Sequence, residues 1–208
     1  MTEKQDIIYL SSRDFNESAW TASQQVASQL SHFGRVLVVN PPQSAGYILK
    51  RGLRAGFSSR GLERISENIW LFTPFSPLPF GARCRISQKL NRFFLRRKLS
   101  SLVSLLEFKK FQLWILSPRN AFLAGRLGEE KVIYKCDGDP ATFPWLRGRG
   151  RTILDEEKKL LRKADLVFCT SPSIAKRKSP LNPHTFLVRL GVDTELFNRV
   201  LNQPSIPP

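Results

Sequence analysis

Six short apolar runs constrain this chain more than any other feature. Ile7–Leu10, Val36–Val39, Leu113–Leu116, Val132–Tyr134, Leu166–Cys169 and Phe186–Val188 are unbroken by polar residues and end within four positions. A strand with one wet face alternates polar and apolar side chains. A run without alternation is covered on both faces, as in a parallel sheet between helical layers. Leu62–Thr73, with Asn68 near its middle, adds two short strands or one bent one. The expected fold is α/β: a Rossmann-like parallel sheet of about seven strands with helices on both faces.

The segments between the runs supply the helices. Thr21 and Gln24 match a capping box, and Val26, Leu30 and Phe33 follow at helical spacing before Gly34. Arg83–Lys110 lacks proline and glycine and reads as a helix, kinked or divided where its apolar positions drift. Ala121–Leu127 reads as a short helix and Thr152–Lys163 as a charged one, with Glu156 and Glu157 as surface charges facing Lys159 or Lys163. Gln43–Arg60 and Pro74–Gly81 read as loops, and 201–208 as a proline-rich linker.

The 208 residues suit one domain, and an apolar content of 41% supports a packed core. The amino terminus shows no signal-peptide pattern, and no apolar window is long enough for a membrane-spanning helix. Cys84, Cys136 and Cys169 are far apart and odd in number, which fits a reducing cytoplasm. The net charge of +16 is uneven. Residues 41–110 hold fourteen Lys/Arg against three Asp/Glu, a net +11, whereas residues 1–40 are at −1. Such a block attracts phosphate, whether of a lipid, a nucleic acid or a nucleotide sugar.

The chemistry-bearing motifs are fewer. Ser11-Ser12-Arg13-Asp14 follows the first strand, where a dinucleotide enzyme would place G-x-G-x-x-G, and no P-loop occurs. Tyr134–Trp145 reads YKCDGDPATFPW, setting Cys136, Asp137 and Asp139 at a strand end. Three readings apply: a metal site, a catalytic acid, or a polar turn. Asp137 is either a cleft carboxylate that accepts a hydroxyl's proton or a turn cap, and Asp139 before Pro140 favours the turn. Arg119, after Ser117-Pro118, ends another strand, and Arg147 lies in a cationic Leu-Arg-Gly-Arg-Gly-Arg loop; either side chain is a phosphate contact or a solvated charge. Arg85, Lys89, Arg92 and Arg96 form one cationic stripe on the long helix, with Ile86, Leu90 and Phe93 beside it. That pattern suits an anionic membrane surface, or a helix packed on the sheet with a solvated basic face.

Four stretches occur in order: Tyr134–Asp139; the acidic helix around Glu156-Glu157; Ala164–Ser171 (ADLVFCTS); and Gly191-Val192-Asp193 with Phe197. With Trp20, Gln24-Gln25 and the strand ending in Pro41-Pro42, they resemble the N-terminal domain of a GT-B glycosyltransferase. The resemblance is to family-4-like, group 1 enzymes related to teichuronic-acid biosynthesis, over about residues 6–200 and least over 43–110. Leu190 stands where that family has Asn, and the first loop lacks its double glycine.

The resemblance implies an acceptor-side domain over 1–200, a linker beginning at 201–208, and an absent C-terminal donor domain that another chain could supply. It implies hexosyl transfer from a nucleotide sugar to a cell-envelope, polysaccharide or lipid-linked acceptor, little activity from this half alone, and a cytoplasmic place, peripheral on the inner face of the plasma membrane. Asp137 is the catalytic candidate it implies, with Ser12, Arg13, Arg119, Asp139 and Arg147 as acceptor or phosphate contacts. No metal or other cofactor is implied, since helix dipoles and basic groups neutralise the leaving diphosphate in that scheme. The alternative is a non-enzymatic basic module binding an anionic membrane, nucleic acid or a partner subunit. Nucleic acid is disfavoured by the lack of any helix-turn-helix, zinc-finger, RRM or OB pattern.

Overall fold

The apolar runs pair side by side. Ile8 of β1 (Asp6–Leu10) lies in parallel register with Leu37 of β2 (Val36–Val39) on one side and with Leu113 of β7 (Phe111–Ile115) on the other. All three side chains are fully buried, which is why these strands tolerate no polar alternation. The computed structural model describes residues 5–15, 22–44, 61–78, 84–139, 150–189, 191 and 198. The rest of the main sheet is β4 (Leu62–Ser66), β5 (Ile69–Phe72), β8 (Lys131–Cys136), β9 (Leu166–Cys169) and β10 (Thr185–Leu187). Its order is β10-β9-β8-β7-β1-β2-β5-β4, eight strands. β3 (Gln43–Ser44) and β6 (Phe75–Ser76) form a separate two-residue parallel pair.

Seven strands of the main sheet run parallel; β4 alone is antiparallel, paired with β5. The Leu62–Thr73 stretch is therefore a hairpin turned at Glu67-Asn68, with a register shift between Arg64 and Ser66. Charged residues on β4 face solvent, as suits a strand with no outer neighbour.

α1 (Ala22–Leu30) packs Val26 and Leu30 on the face of the sheet that carries Ile7, Tyr9, Val36 and Val38. Phe33, expected to continue its apolar stripe, lies beyond the helix and is exposed. Thr21 lies outside the described residues; Gln24 is buried and donates to the Phe15 carbonyl at 2.6 Å. Gly34 is required by close approach, because a Cβ there would sit 2.0 Å from the Gln5 carbonyl oxygen.

The opposite face carries the larger core, built on Ile8, Leu10, Leu37, Val39, Leu113, Ile115 and Tyr134. α2 (Arg85–Leu105), α3 (Gly150–Lys163) and α4 (Pro172–Lys178) lie on this side, contributing Leu99 and Leu102, Leu160 and Leu161, and Ile174. α2 is one continuous helix of 21 residues, so the expected kink or division is corrected. It ends on Glu107 at φ 53, where the Phe108 N–H donates to the Val103 carbonyl and the Glu107 N–H to the Ser104 carbonyl. This is a Schellman closure with glutamate in the left-handed position. The expected helix at Ala121–Leu127 is instead a 3-10 helix over Pro118–Leu123, started by Pro118.

Candidate functional site

Chain direction around β1 locates the site. From β1 the chain moves outward to β2 and β5, then returns to β7 and moves the other way to β8, β9 and β10. The order reverses between β1 and β7. Loops leaving the carboxyl ends of two such strands diverge and leave a crevice, the usual ligand position of an open parallel sheet. The β1 loop brings Ser11, Ser12 and Arg13; the β7 loop brings Ser117, Pro118 and Arg119; β8, beside β7, brings Asp137 and Asp139. Strands about 4.8 Å apart put these loops within one small ligand's length. Five of the six residues expected from sequence thus fall at one end of three adjacent strands. The sixth, Arg147, lies outside the described residues.

The first loop is held from below. Ser11 is buried, donates its hydroxyl to the Arg13 carbonyl at 2.6 Å and accepts the Arg13 N–H at 3.3 Å. Buried Asn40, at the end of β2, accepts the Phe15 N–H at 2.8 Å and donates to Asp14 at 3.0 Å and to Thr73 at 2.9 Å. One amide thus ties together the loops leaving β1, β2 and β5, and leaves Ser12 and Arg13 exposed above them.

Asp137 leaves β8 with its side chain 38% exposed. Its Oδ1 is paired with the Lys135 ammonium. Lys135 is buried, so the pair lies partly beneath the surface and fixes the direction of the carboxylate. Oδ2 has no hydrogen-bond partner among the described residues. Asp139 instead turns to α4, where Arg177 Nη1 donates to its Oδ2 at 2.5 Å. The two carboxylates of the D-x-D spelling are therefore each met by a cation, and among the described residues no three His, Cys, Asp or Glu side chains converge as a metal cluster. Cys136 is buried and directs its thiol at the Gly138 carbonyl, 3.2 Å away. Its partner in strand register is Cys169. Hydrogen bonding between the two thiols, reinforced by burial, pushes the Cys136 ionisation up.

Two further groups stand near the site that were not among its expected residues. The Tyr9 hydroxyl is fully buried, with the Ser23 side chain as its polar neighbour. Burial, with the Asp137 charge nearby, pushes its ionisation up. Glu157 was expected on the surface of α3 and is instead buried. It accepts the Tyr134 hydroxyl at 2.8 Å and the Lys178 ammonium at 2.5 Å. Its neighbour Glu156 reaches across to Arg92 of α2, whose guanidinium also lies 4.9 Å over the Phe122 ring. Neither glutamate pairs along its own helix as expected. A signal for Glu157 was present: it shares a stripe with Ile153, Leu160 and Ala164, all buried.

A depression of about 440 Å³, lined among others by Asp6, Arg35, Lys110 and Glu130, lies at the amino ends of the strands, away from the crevice. Arg35 is already held there by both Asp6 oxygens, at 2.8 and 2.6 Å.

No protein-family model matches the chain, and no curated protein matches its sequence. Solved structures do. The chain is similar to one described as an OtsA apo structure, with a TM-score of 0.56 and 13% identity, over 98% of this chain and 53% of that one. It is also similar to Glycyrrhiza uralensis UGT73P12 complexed with glycyrrhetinic acid 3-O-monoglucuronide, with a TM-score of 0.49 and 12% identity over 89% and 49% of the two chains. A third is the alpha,alpha-trehalose 6-phosphate synthase from Burkholderia multivorans, with a TM-score of 0.46 and 11% identity over 87% and 43%. The chain spans about half the length of the first of these, and the fold it shares with that structure is one Rossmann-like half of the GT-B arrangement.

Proposed function

We propose that this chain is the acceptor-side half of a nucleotide-sugar-dependent glycosyltransferase acting on a cell-envelope or polysaccharide acceptor. The observation that supports it best is the reversal of strand order between β1 and β7, with Ser12, Arg13, Arg119 and Asp137 all on loops leaving that end of the sheet, in a fold shared with half of a GT-B structure. The resemblance of the sequence motifs to family-4-like enzymes related to teichuronic-acid biosynthesis is in keeping with this reading.

In this reading Asp137 meets the acceptor. The Lys135 pair directs its free oxygen outward, where it accepts a hydrogen bond from an acceptor hydroxyl and polarises the O–H bond. The hydroxyl oxygen forms the new bond to the anomeric carbon as its O–H bond breaks and the proton passes to the Asp137 carboxylate. The bond from that carbon to the diphosphate breaks, and its electron pair leaves with the diphosphate. In this reading Arg13 and Arg119 offset developing negative charge on that side, while most donor contacts belong to a second domain facing this one. The half alone encloses only one wall of such a cleft, so transfer requires the other.

The experiment joins the chain, by fusion or co-expression, to a second Rossmann-like domain encoded beside it. Transfer is then measured from a panel of radiolabelled nucleotide sugars to envelope extracts. Transfer by the pair and little by this chain alone is the expected result. Asp137→Asn should lower turnover by roughly 10²–10⁴-fold with the fold unchanged by circular dichroism. Absence of transfer with every donor removes the enzymatic reading; unchanged turnover in Asp137→Asn leaves the enzyme and reduces Asp137 to a turn residue.

A further inference from the structure

α2 carries two apolar faces. One is spent on the core: Leu99 and Leu102 are buried, and Leu95, Val103 and Leu106 pack against them. The other has no covering among the described residues. Ile86, Leu90 and Phe93 are 70%, 43% and 46% exposed, and Phe94, in edge contact with Phe93, is 46% exposed. At 100° per residue Ile86, Leu90, Phe93 and Arg97 fall on one line, opposite Leu95 and Leu102.

Charge surrounds that line. The helix holds six Lys/Arg and no acidic residue. Arg85, Lys89 and Arg96 run along one edge of the exposed stripe, Arg97 sits in it, and Lys98 lies beyond Phe94. The structure removes Arg92 from this surface, because Glu156 and the Phe122 ring hold it against the body of the protein.

The position is also informative. α2 is about 31 Å long, whereas a five-residue strand such as β7 spans about 17 Å. The end of α2 is anchored at the amino ends of the strands, where Arg35 Nη1 donates to the Leu106 carbonyl at 2.8 Å. Its amino-terminal half therefore overhangs the carboxyl ends, on the same side as the β1–β7 crevice.

We propose that this half of α2 docks the protein on an anionic lipid bilayer, with Ile86, Leu90, Phe93 and Phe94 entering the acyl boundary and the flanking cations meeting lipid phosphates. An interfacial helix has this arrangement, apolar along the centre and basic along the edges. Two copies of the chain meeting here would oppose helices that each carry five cations besides the Glu156-paired Arg92, which like-charge repulsion disfavours. Nucleic acid would need cations at the centre of the face, where the phenylalanines stand. The proposal stands on the helix alone and does not depend on the glycosyltransferase reading.

Vesicle flotation of the 208-residue chain tests it, with phosphatidylcholine alone and mixed with phosphatidylglycerol. The chain should float with the mixed vesicles and far less with the neutral ones. Phe93→Ser with Phe94→Ser should lower partitioning about tenfold or more, and Lys89→Ala with Arg97→Ala about thirtyfold. All four side chains are exposed, so melting temperature should hold in both variants. Lys109→Ala with Lys110→Ala, the same charge loss at the opposite end, should change little. The proposal is overturned by flotation with neither vesicle, by equal loss from the Lys109/Lys110 control, or by undiminished flotation of the phenylalanine variant. It is equally overturned if the chain ignores vesicles but binds a duplex oligonucleotide, or forms a dimer that the phenylalanine variant abolishes.

Discussion

Glu156 and Glu157 are neighbours in sequence with unequal roles. Glu157 lies on the stripe that α3 turns to the core, so its carboxylate is buried and depends on the Tyr134 hydroxyl and the Lys178 ammonium. Removing it leaves Lys178 charged and buried without its carboxylate. Glu157→Ala should therefore cost about 3–5 kcal/mol, and Glu156→Ala about 1 kcal/mol or less, because the Arg92 pair is open to water on one side. Chemical denaturation of the two variants measures both. Sequence reading placed Asp137 at a strand end and Cys136 inside the strand, because both follow from the end of one apolar run. It did not find Lys135 or Lys178 as partners. Lys178 follows Lys176 and Arg177 and looks solvated with them, and only the folded chain brings it to a carboxylate 21 residues earlier; Lys135 is a lone charge inside an apolar run, where burial is not expected of it.

Strands were the most legible elements, since an unbroken apolar run has few other uses. The Leu62–Ser66 half of the edge hairpin was harder to assign, because its residues are mostly exposed and carry no burial pattern. The end of α2 was also hard to place, for a specific reason. A helix stop is recognised by glycine in the left-handed position, and here Glu107 occupies it at φ 53. The hydrogen bonds of the motif form regardless, and Phe108 at the following position is buried. Glu107→Gly should relieve the backbone cost and raise stability by about 1 kcal/mol. An upward shift in the urea midpoint at unchanged slope is the expected reading; no shift or a decrease would show that the Arg35 environment outweighs the backbone term.

At the scale of the molecule, two buried tyrosines sit in cores on opposite faces of one sheet. Burial raises the pH at which both Tyr9 and Tyr134 ionise. An unfolded phenol ionises near pH ~10 while the folded one keeps its proton. Their contribution to stability is thus fully present below about pH 10 and is lost as pH rises above it. Denaturation midpoints taken from about pH 8 to about pH 11 should fall at the alkaline end, and Tyr9→Phe should make that fall shallower. The overall α/β order, the basic block and the strand-end positions of Ser12, Arg13, Arg119, Asp137 and Asp139 were readable in the chain because they depend on local pattern and strand order. Which face of α2 is free depends on the whole assembly, so the exposed phenylalanines were not. The two margins of the sheet also differ. β4 presents Glu63 and Arg64 and breaks register, so another strand gains little by adding there. Among the described residues β10 ends the other side, with Phe186 and Leu187, and Val188 just after it, exposed. The sheet is in this sense a one-ended template: an incoming extended segment would find an inviting margin at β10 and a guarded one at β4.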